Sequence, residues 1–161
     1  MRKIGYNSGM KIETKPKFIA DCHLGKLAKY LRVMGFDTLY FNSIDDNDLI
    51  EIADREERII LTRDKELHER GNAPTFYLEP IDNLEQLRAL HKHFFIKDFE
   101  LRSRCIVCNV LLESVEKNSI EEKIPKKVKL YFSEFEICPT CKRIYWHGDH
   151  YKRMMKTINS I

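Results

Sequence analysis

Arg58-Ile59-Ile60-Leu61-Thr62-Arg63-Asp64 is a short, nearly continuous apolar run that ends in an aspartate and leads into helix-like sequence. Runs of this kind suit strands buried on both faces, as in parallel sheets. The same arrangement recurs in the first half of the chain as Phe18-Ile19-Ala20-Asp21, Leu39-Tyr40-Phe41 before Asp45-Asp46, and Phe76-Tyr77-Leu78 before Asp82. Between these runs the apolar residues change to helical spacing. Leu24, Leu27, Ala28 and Leu31 predict a helix over 24–34 stopped by Gly35, and Leu49, Ile52 and Ala53 predict one over 48–57. Residues 65–70 read as a short helix broken by Gly71-Asn72-Ala73-Pro74, and Leu84, Leu87, Leu90 and Phe94 predict a further helix over 83–95. Strands are expected over 37–41, 58–62 and 75–78. The alternation predicts an α/β fold, a parallel sheet with helices on both faces.

Parallel strands place their carboxyl ends on one edge, so the aspartates would gather there into an acidic cluster suited to a hard divalent cation. Phosphodiester cleavage needs such a site: carboxylate-held Mg²⁺ or Mn²⁺ neutralises the phosphate and activates water. Asp21 and Asp64 are the leading candidate ligands. Asp45 or Asp46 supplies a third from a loop whose spacing does not rank them, and Asp48 falls in the first helical turn. Asp82 divides between helix cap and outer ligand, with Glu85 positioned for a variant capping box. The competing reading for each is the N-cap that aspartate favours before a helix. Asp21 stands out because Cys22-His23-Leu24-Gly25 is a poor context for capping. Thr62 is placed to bond a metal-bound water and Arg63 to meet phosphate. Lys26, Lys29 and Arg32 form a basic strip on the first helix, read as phosphate contacts or as a solvated face. His23 is a candidate acid or base, and Cys22 is expected to be buried and unreactive.

Beyond residue 99 the pattern changes to short strands, two Cys-x2-Cys turns and a charged connector over 113–129, so a boundary is expected near 97–103. Residues 17–97 then form the α/β domain and 98–161 a small second domain ending in a basic amphipathic helix over 149–158. Cys105, Cys108, Cys138 and Cys141, with 29 residues between the pairs, match two knuckles that close a tetrahedral structural zinc site. His147 and His150 are weaker substitutes for a cysteine ligand. With Tyr145, Trp146, Tyr151, Lys152 and Arg153 they form an aromatic and basic surface that would stack on bases and contact phosphates, although Tyr145 and Trp146 equally suit a small core.

Composition sets limits on function. Lys and Arg balance Asp and Glu at 16 each in residues 1–97 but number 12 against 9 in 98–161, so the net +3 comes from the second part, the end a polyanion would favour. No stretch approaches the roughly 18 to 20 apolar residues of a membrane span or the apolar core of a signal peptide, which predicts a cytoplasmic protein. Residues 1–16 read as a floppy leader, or translation starts at Met10.

The runs Asp21-Cys22-His23-Leu24-Gly25-Lys26-Leu27-Ala28-Lys29-Tyr30-Leu31-Arg32, Gly35-Phe36-Asp37-Thr38, Asp45-Asp46-Asn47-Asp48-Leu49 and Leu61-Thr62-Arg63-Asp64 resemble the Mut-seven C-terminal RNase family, a PIN-like nuclease group. The second half is similar too, with Cys138-Pro139-Thr140-Cys141 followed by Tyr145-Trp146-His147-Gly148-Asp149-His150. The similarity covers about residues 18–155 and departs at Cys22-His23 and before Lys17. It implies a PIN-like domain followed by a zinc ribbon, acting as a metal-dependent ribonuclease with Asp21, Asp45 or Asp46, and Asp64 as acidic residues. The leading reading is a Mg²⁺- or Mn²⁺-dependent endoribonuclease whose partner is RNA, structured or ribosome-associated. The alternative is a non-catalytic RNA- or ribosome-binding module. A phosphoryl-accepting domain is weaker, because no Asp-x-Asp-x-Thr motif follows the first strand.

Overall fold

The computed structural model describes residues 14–161, so the leader expected over 1–16 lies largely outside the described residues. Lys15 is already fastened: its Nζ donates to the Glu100 carbonyl at 2.6 Å and sits over the Phe36 ring.

The expected strands form as β1 (Phe18–Ala20), β2 (Thr38–Tyr40), β3 (Ile59–Thr62) and β4 (Thr75–Tyr77), hydrogen-bonded in the order β2-β1-β3-β4 and all parallel. Helices α1 (Gly25–Val33), α2 (Asp46–Arg55), α3 (Lys65–Glu69) and α4 (Asn83–Phe94) connect or follow them. The apolar runs are unbroken because both sheet faces are covered. Phe18, Ala20 and Leu61 point into one layer with Leu27, Leu31, Leu87, Leu90 and Phe94 from α1 and α4. Ile19 and Ile60 point the other way, against Leu49, Ala53 and Leu67 from α2 and α3. Each fully buried Leu, Ile or Phe contributes about 1.5–3 kcal/mol from burial, so these two layers dominate the stability. Going from β1 to β2 the chain moves toward one edge, and from β2 to β3 it reverses, which puts α1 and α2 on opposite faces as a constant crossover hand requires.

Gly35 ends the first helix at φ +90°, and a Cβ there would lie 2.5 Å from the Arg102 carbonyl, so glycine is required both by conformation and by the approach of the later chain.

A second, antiparallel sheet comprises β5 (Glu113–Val115), β6 (Phe135–Ile137) and β7 (Ile144–Tyr145). The connector between β5 and β6 carries α5 (Lys117–Ile120) and α6 (Lys126–Tyr131) over a small core of Ile120, Ile124 and Phe135. The last helix, α7 (Asp149–Asn159), is expected to finish this unit, yet its Met154 and Ile158 join the α1–α4 layer. Its end is held there as well, by Arg88 donating to the Ser160 carbonyl at 3.0 Å. The start of the second part is also sewn to the first. Arg104 N–H donates to the Arg32 carbonyl at 2.8 Å, and the Ser103 hydroxyl to that of Val33 at 3.0 Å.

Candidate active site and cysteine metal centre

Strand order reverses between β1 and β3, so their carboxyl ends form the switch point at which open α/β sheets bind ligands. Asp21 follows β1 and its N–H donates to the Leu61 carbonyl of β3, which sets it directly beside Thr62. The Asp21 carboxylate is 8 % exposed; Oδ1 accepts the Cys22 N–H at 2.6 Å and Oδ2 the Thr62 hydroxyl at 3.0 Å. Thr62 Oγ1 in turn accepts the Asp64 N–H at 2.9 Å. One hydroxyl thus ties together the two aspartates that end adjacent strands. Thr62, expected to bond a metal-bound water, is instead fully buried and gives its proton to Asp21.

All four runs end in caps. Asp21 caps a short 3-10 turn at Cys22–Leu24, so the context expected to be poor for capping supports one. Asp45 Oδ1 accepts the Asn47 N–H at 2.8 Å, Asp64 Oδ1 those of Glu66 and Leu67 at 2.8 and 3.3 Å, and Asp82 Oδ1 those of Leu84 and Glu85. Asp46 pairs with Arg70 at 3.3 Å, and Asp48 lies in the first turn of α2 as expected. Glu85 turns to Arg88 and does not close a capping box. Among the described residues, the cysteines are the only set of three or more Cys, His, Asp or Glu whose ligand atoms all lie within 4.8 Å. The aspartates therefore do not form the close three-carboxylate cluster expected from topology. A helix that starts just past each strand draws each carboxylate onto its own first-turn N–H groups.

Asp64 is exposed and its hydrogen bonds use Oδ1, as do those of Asp45. Magnesium keeps several waters and is commonly held by one or two carboxylates with substrate phosphate completing the shell, so a full protein cage is not required. The donor set at this edge fits such a cation through Asp64 with Asp21 beside it.

Lys26 and Lys29 are exposed on α1, and His23 is exposed beside Asp21. Arg63 is half-buried, with its Nε enclosed and lacking a hydrogen-bond partner. Two expectations need correction. Arg32 is 6 % exposed, and its guanidinium donates to the carbonyls of Thr38 at 2.9 Å and Ile106 at 2.8 Å, so it joins the α/β layer to the first cysteine knuckle and faces no RNA. Cys22 is half-buried, not buried; burial, with the hydrogen bond and charge of Asp21, pushes its thiol up, which keeps it protonated and unreactive.

The four cysteines come together as expected. The Sγ atoms of Cys105 and Cys141 are 3.7 Å apart, close to the roughly 3.8 Å that tetrahedral zinc with bonds of about 2.3 Å imposes. The two knuckles repeat one another bond for bond. Cys108 N–H donates to Cys105 Sγ and Asn109 N–H to the Cys105 carbonyl, while Cys141 N–H donates to Cys138 Sγ and Lys142 N–H to the Cys138 carbonyl. Asn109 and Lys142 both adopt positive φ, 63° and 60°, to close these turns. Four thiolates with no open position suit a structural ion.

Burial opposes ionisation of Cys105, but hydrogen bonds from the Tyr145 hydroxyl, 3.0 Å away, and from the backbone bring its thiol down to about 7. The Tyr145 hydroxyl supports the ligand from outside the shell, a role the sequence did not disclose. Asn109 was also missed: its side chain donates to Asp37 at 2.7 Å and accepts the Thr38 N–H at 3.0 Å, pinning the first knuckle to the start of β2. An asparagine directly after the second cysteine, where the turn needs positive φ, was the available signal. Trp146 packs partly buried against the small core, and Lys152 and Arg153 are exposed on α7.

A family model described as the Mut7-C RNAse domain matches residues 16–158. No curated protein and no solved structure matches the chain. Among the described residues, no helix is long and apolar enough to cross a membrane.

Proposed function

The chain belongs to the Mut7-C RNase domain family, and on that premise we propose that it is a Mg²⁺- or Mn²⁺-dependent endoribonuclease acting at the carboxyl edge of β1 and β3. The observation that carries this reading is the Asp21–Thr62–Asp64 chain at the strand-order reversal, where one hydroxyl donates to the Asp21 carboxylate and accepts the Asp64 backbone N–H, setting the two aspartates of adjacent strands side by side. Asp64, with Asp45 or Asp46 contributing from the start of α2, would hold the cation. When bound, the cation supplies charge neutralisation at the phosphate and acidifies water.

The residues of the chain do the rest. Thr62 fixes the Asp21 carboxylate in one orientation, with both oxygens engaged. Arg63, with an unpaired donor next to Asp64, together with exposed Lys26 and Lys29, attracts and orients the phosphate backbone. Helix α7, packed on α4, extends the RNA surface beside the zinc ribbon, with Lys152 and Arg153 outward. The protein is expected to work in the cytoplasm.

The test uses Asp64→Asn. Asparagine caps helices about as well as aspartate, so the fold is retained while a hard anionic ligand is lost. Mg²⁺- or Mn²⁺-dependent cleavage of a labelled RNA should fall about 100-fold or more in this variant and in Asp21→Asn. Cleavage equal to wild type in both would sink the proposal.

The capping roles of Asp21, Asp45, Asp64 and Asp82 favour a second reading, an RNA- or ribosome-binding module without catalysis. RNA retained by wild type with no cleavage under either cation would select it.

A further inference from the structure

Away from the acidic edge, a cavity of about 260 Å³ lies between the end of α1, the strand entering the first knuckle, the β6–β7 hairpin and α7. Its walls are Val33, Ile106, Ile144, Met154 and the aromatic series Tyr145, Trp146, His147 and Tyr151. It continues into a second, more polar space of about 460 Å³ that shares Ser103, Leu112, Glu136, His147 and Tyr151 with it and reaches Arg102. The result is one groove with an apolar aromatic chamber at one end and an arginine at the other.

Three details give it the character of a base-binding site. The His147 and Tyr151 rings stack at 3.9 Å with 6° between their planes, presenting a flat π surface at the mouth shared by both spaces. Gly148 leaves room for the Trp146 indole, since a Cβ there would stand 2.7 Å from its Nε1. Glu136 lies at the junction of chamber and channel, and its carboxylate has no hydrogen-bond or ionic partner among the described residues. A carboxylate accepts hydrogen bonds only. Of the four RNA bases, guanine alone offers two adjacent donors, N1–H and the exocyclic amine, on its pairing edge. Single-stranded bases are typically recognised by stacking combined with contacts to that edge.

We propose that this groove holds one unstacked guanosine of the RNA, its base against the aromatic chamber, its pairing edge on Glu136 and its phosphate toward Arg102. This rests on RNA being the ligand of the chain. The site is separate from the acidic edge, because α1 begins at that edge and Val33, at its other end, lines the groove; nine residues of helix span about 14 Å. The groove would thus select the RNA at a distance from the bond attacked.

Trp146 is the one tryptophan of the chain and lines the chamber, so its fluorescence reports on this site. The full zinc-loaded chain, without added Mg²⁺ or Mn²⁺, is titrated with each of the four nucleoside 5′-monophosphates. GMP should quench Trp146 emission saturably and at least tenfold more tightly than AMP, CMP or UMP. Glu136→Gln should remove that preference while keeping bound zinc at wild-type stoichiometry. Saturable but equal binding of all four, a preference untouched by Glu136→Gln, or quenching by N-acetylphenylalaninamide and by no nucleotide would each overturn it, the last assigning the chamber to a protein side chain. Cleavage is not read, so a failed nuclease proposal leaves the outcome unaffected.

Discussion

Asp64 shows how one side chain can meet two demands. Its Oδ1 closes the first turn of α3, and the same residue type in the same place is what a cation site at a strand end requires. Substitution separates the two: Asp64→Ala should cost about 1 kcal/mol through the lost cap, whereas Asp64→Asn should stay within about 0.5 kcal/mol of wild type by thermal melting. Equal losses in both would show that the negative charge itself holds the loop. The same duality explains why the acidic edge was only half legible in the sequence. The recurrence of aspartate after apolar runs was visible, but a capping aspartate and a ligating one carry the same local signature, and only three-dimensional spacing tells them apart. Asp37 illustrates a charge whose role is structural. Burial would raise its carboxyl, but hydrogen bonds from Arg58 and Asn109 outweigh that and hold it below the ordinary range. A depressed folded value means that the stabilisation is fully present above about pH 4 and fades as pH falls through the folded value. Arg58 is 7 % exposed and also paired with Glu56, so Asp37→Asn should lower stability at neutral pH by about 1–2 kcal/mol. The Tm gap between wild type and variant should close in acid; a gap that stays constant down to about pH 3 would contradict this assignment.

Strands and helices were the most readable elements, and for a physical reason. β1 and β3 are covered on both faces, so Phe18-Ile19-Ala20 and Ile59-Ile60-Leu61 carry no polar alternation, while α1 and α4 each bury one stripe and display the 3.6-residue period. An amphipathic stripe does not name its partner, however. The apolar face of α7 was evident, but that Met154 and Ile158 would meet α4 and not the zinc ribbon was not. The first knuckle was likewise expected as part of a separate unit, yet Asn109 and Ile106 bind it to β2 and α1. Asn109→Gly tests that joint, because glycine keeps the φ of 63° while removing the side chain. A loss of about 1–3 kcal/mol with zinc still bound is expected from the unpaired Thr38 N–H and the Asp37 contact. Unchanged stability would mean that the knuckle is held by its metal alone.

At the scale of the molecule, these joints argue against two independent folding units. Chelating the zinc should lower the melting temperature of the whole chain in one cooperative transition, with hydrogen exchange accelerating in β1 and β2 as well as in β5–β7. Two separated transitions, with the parallel sheet unaffected, would favour the division near residue 97 that composition suggested. The family and the fold class were both readable from motif and periodicity, since cysteine spacing and strand–helix alternation are one-dimensional signals; the contacts between the two halves are not. The excursion between β5 and β6 has a practical use. Val115 pairs with Phe135, so the segment between them is closed at its base, and between α6 and β6 Ser133 and Glu134 are exposed outside any helix or strand. Lengthening such a closed excursion costs only about 0.6 kcal/mol per doubling, which makes the Ser133–Glu134 junction the natural point at which to graft a dye or an affinity tag.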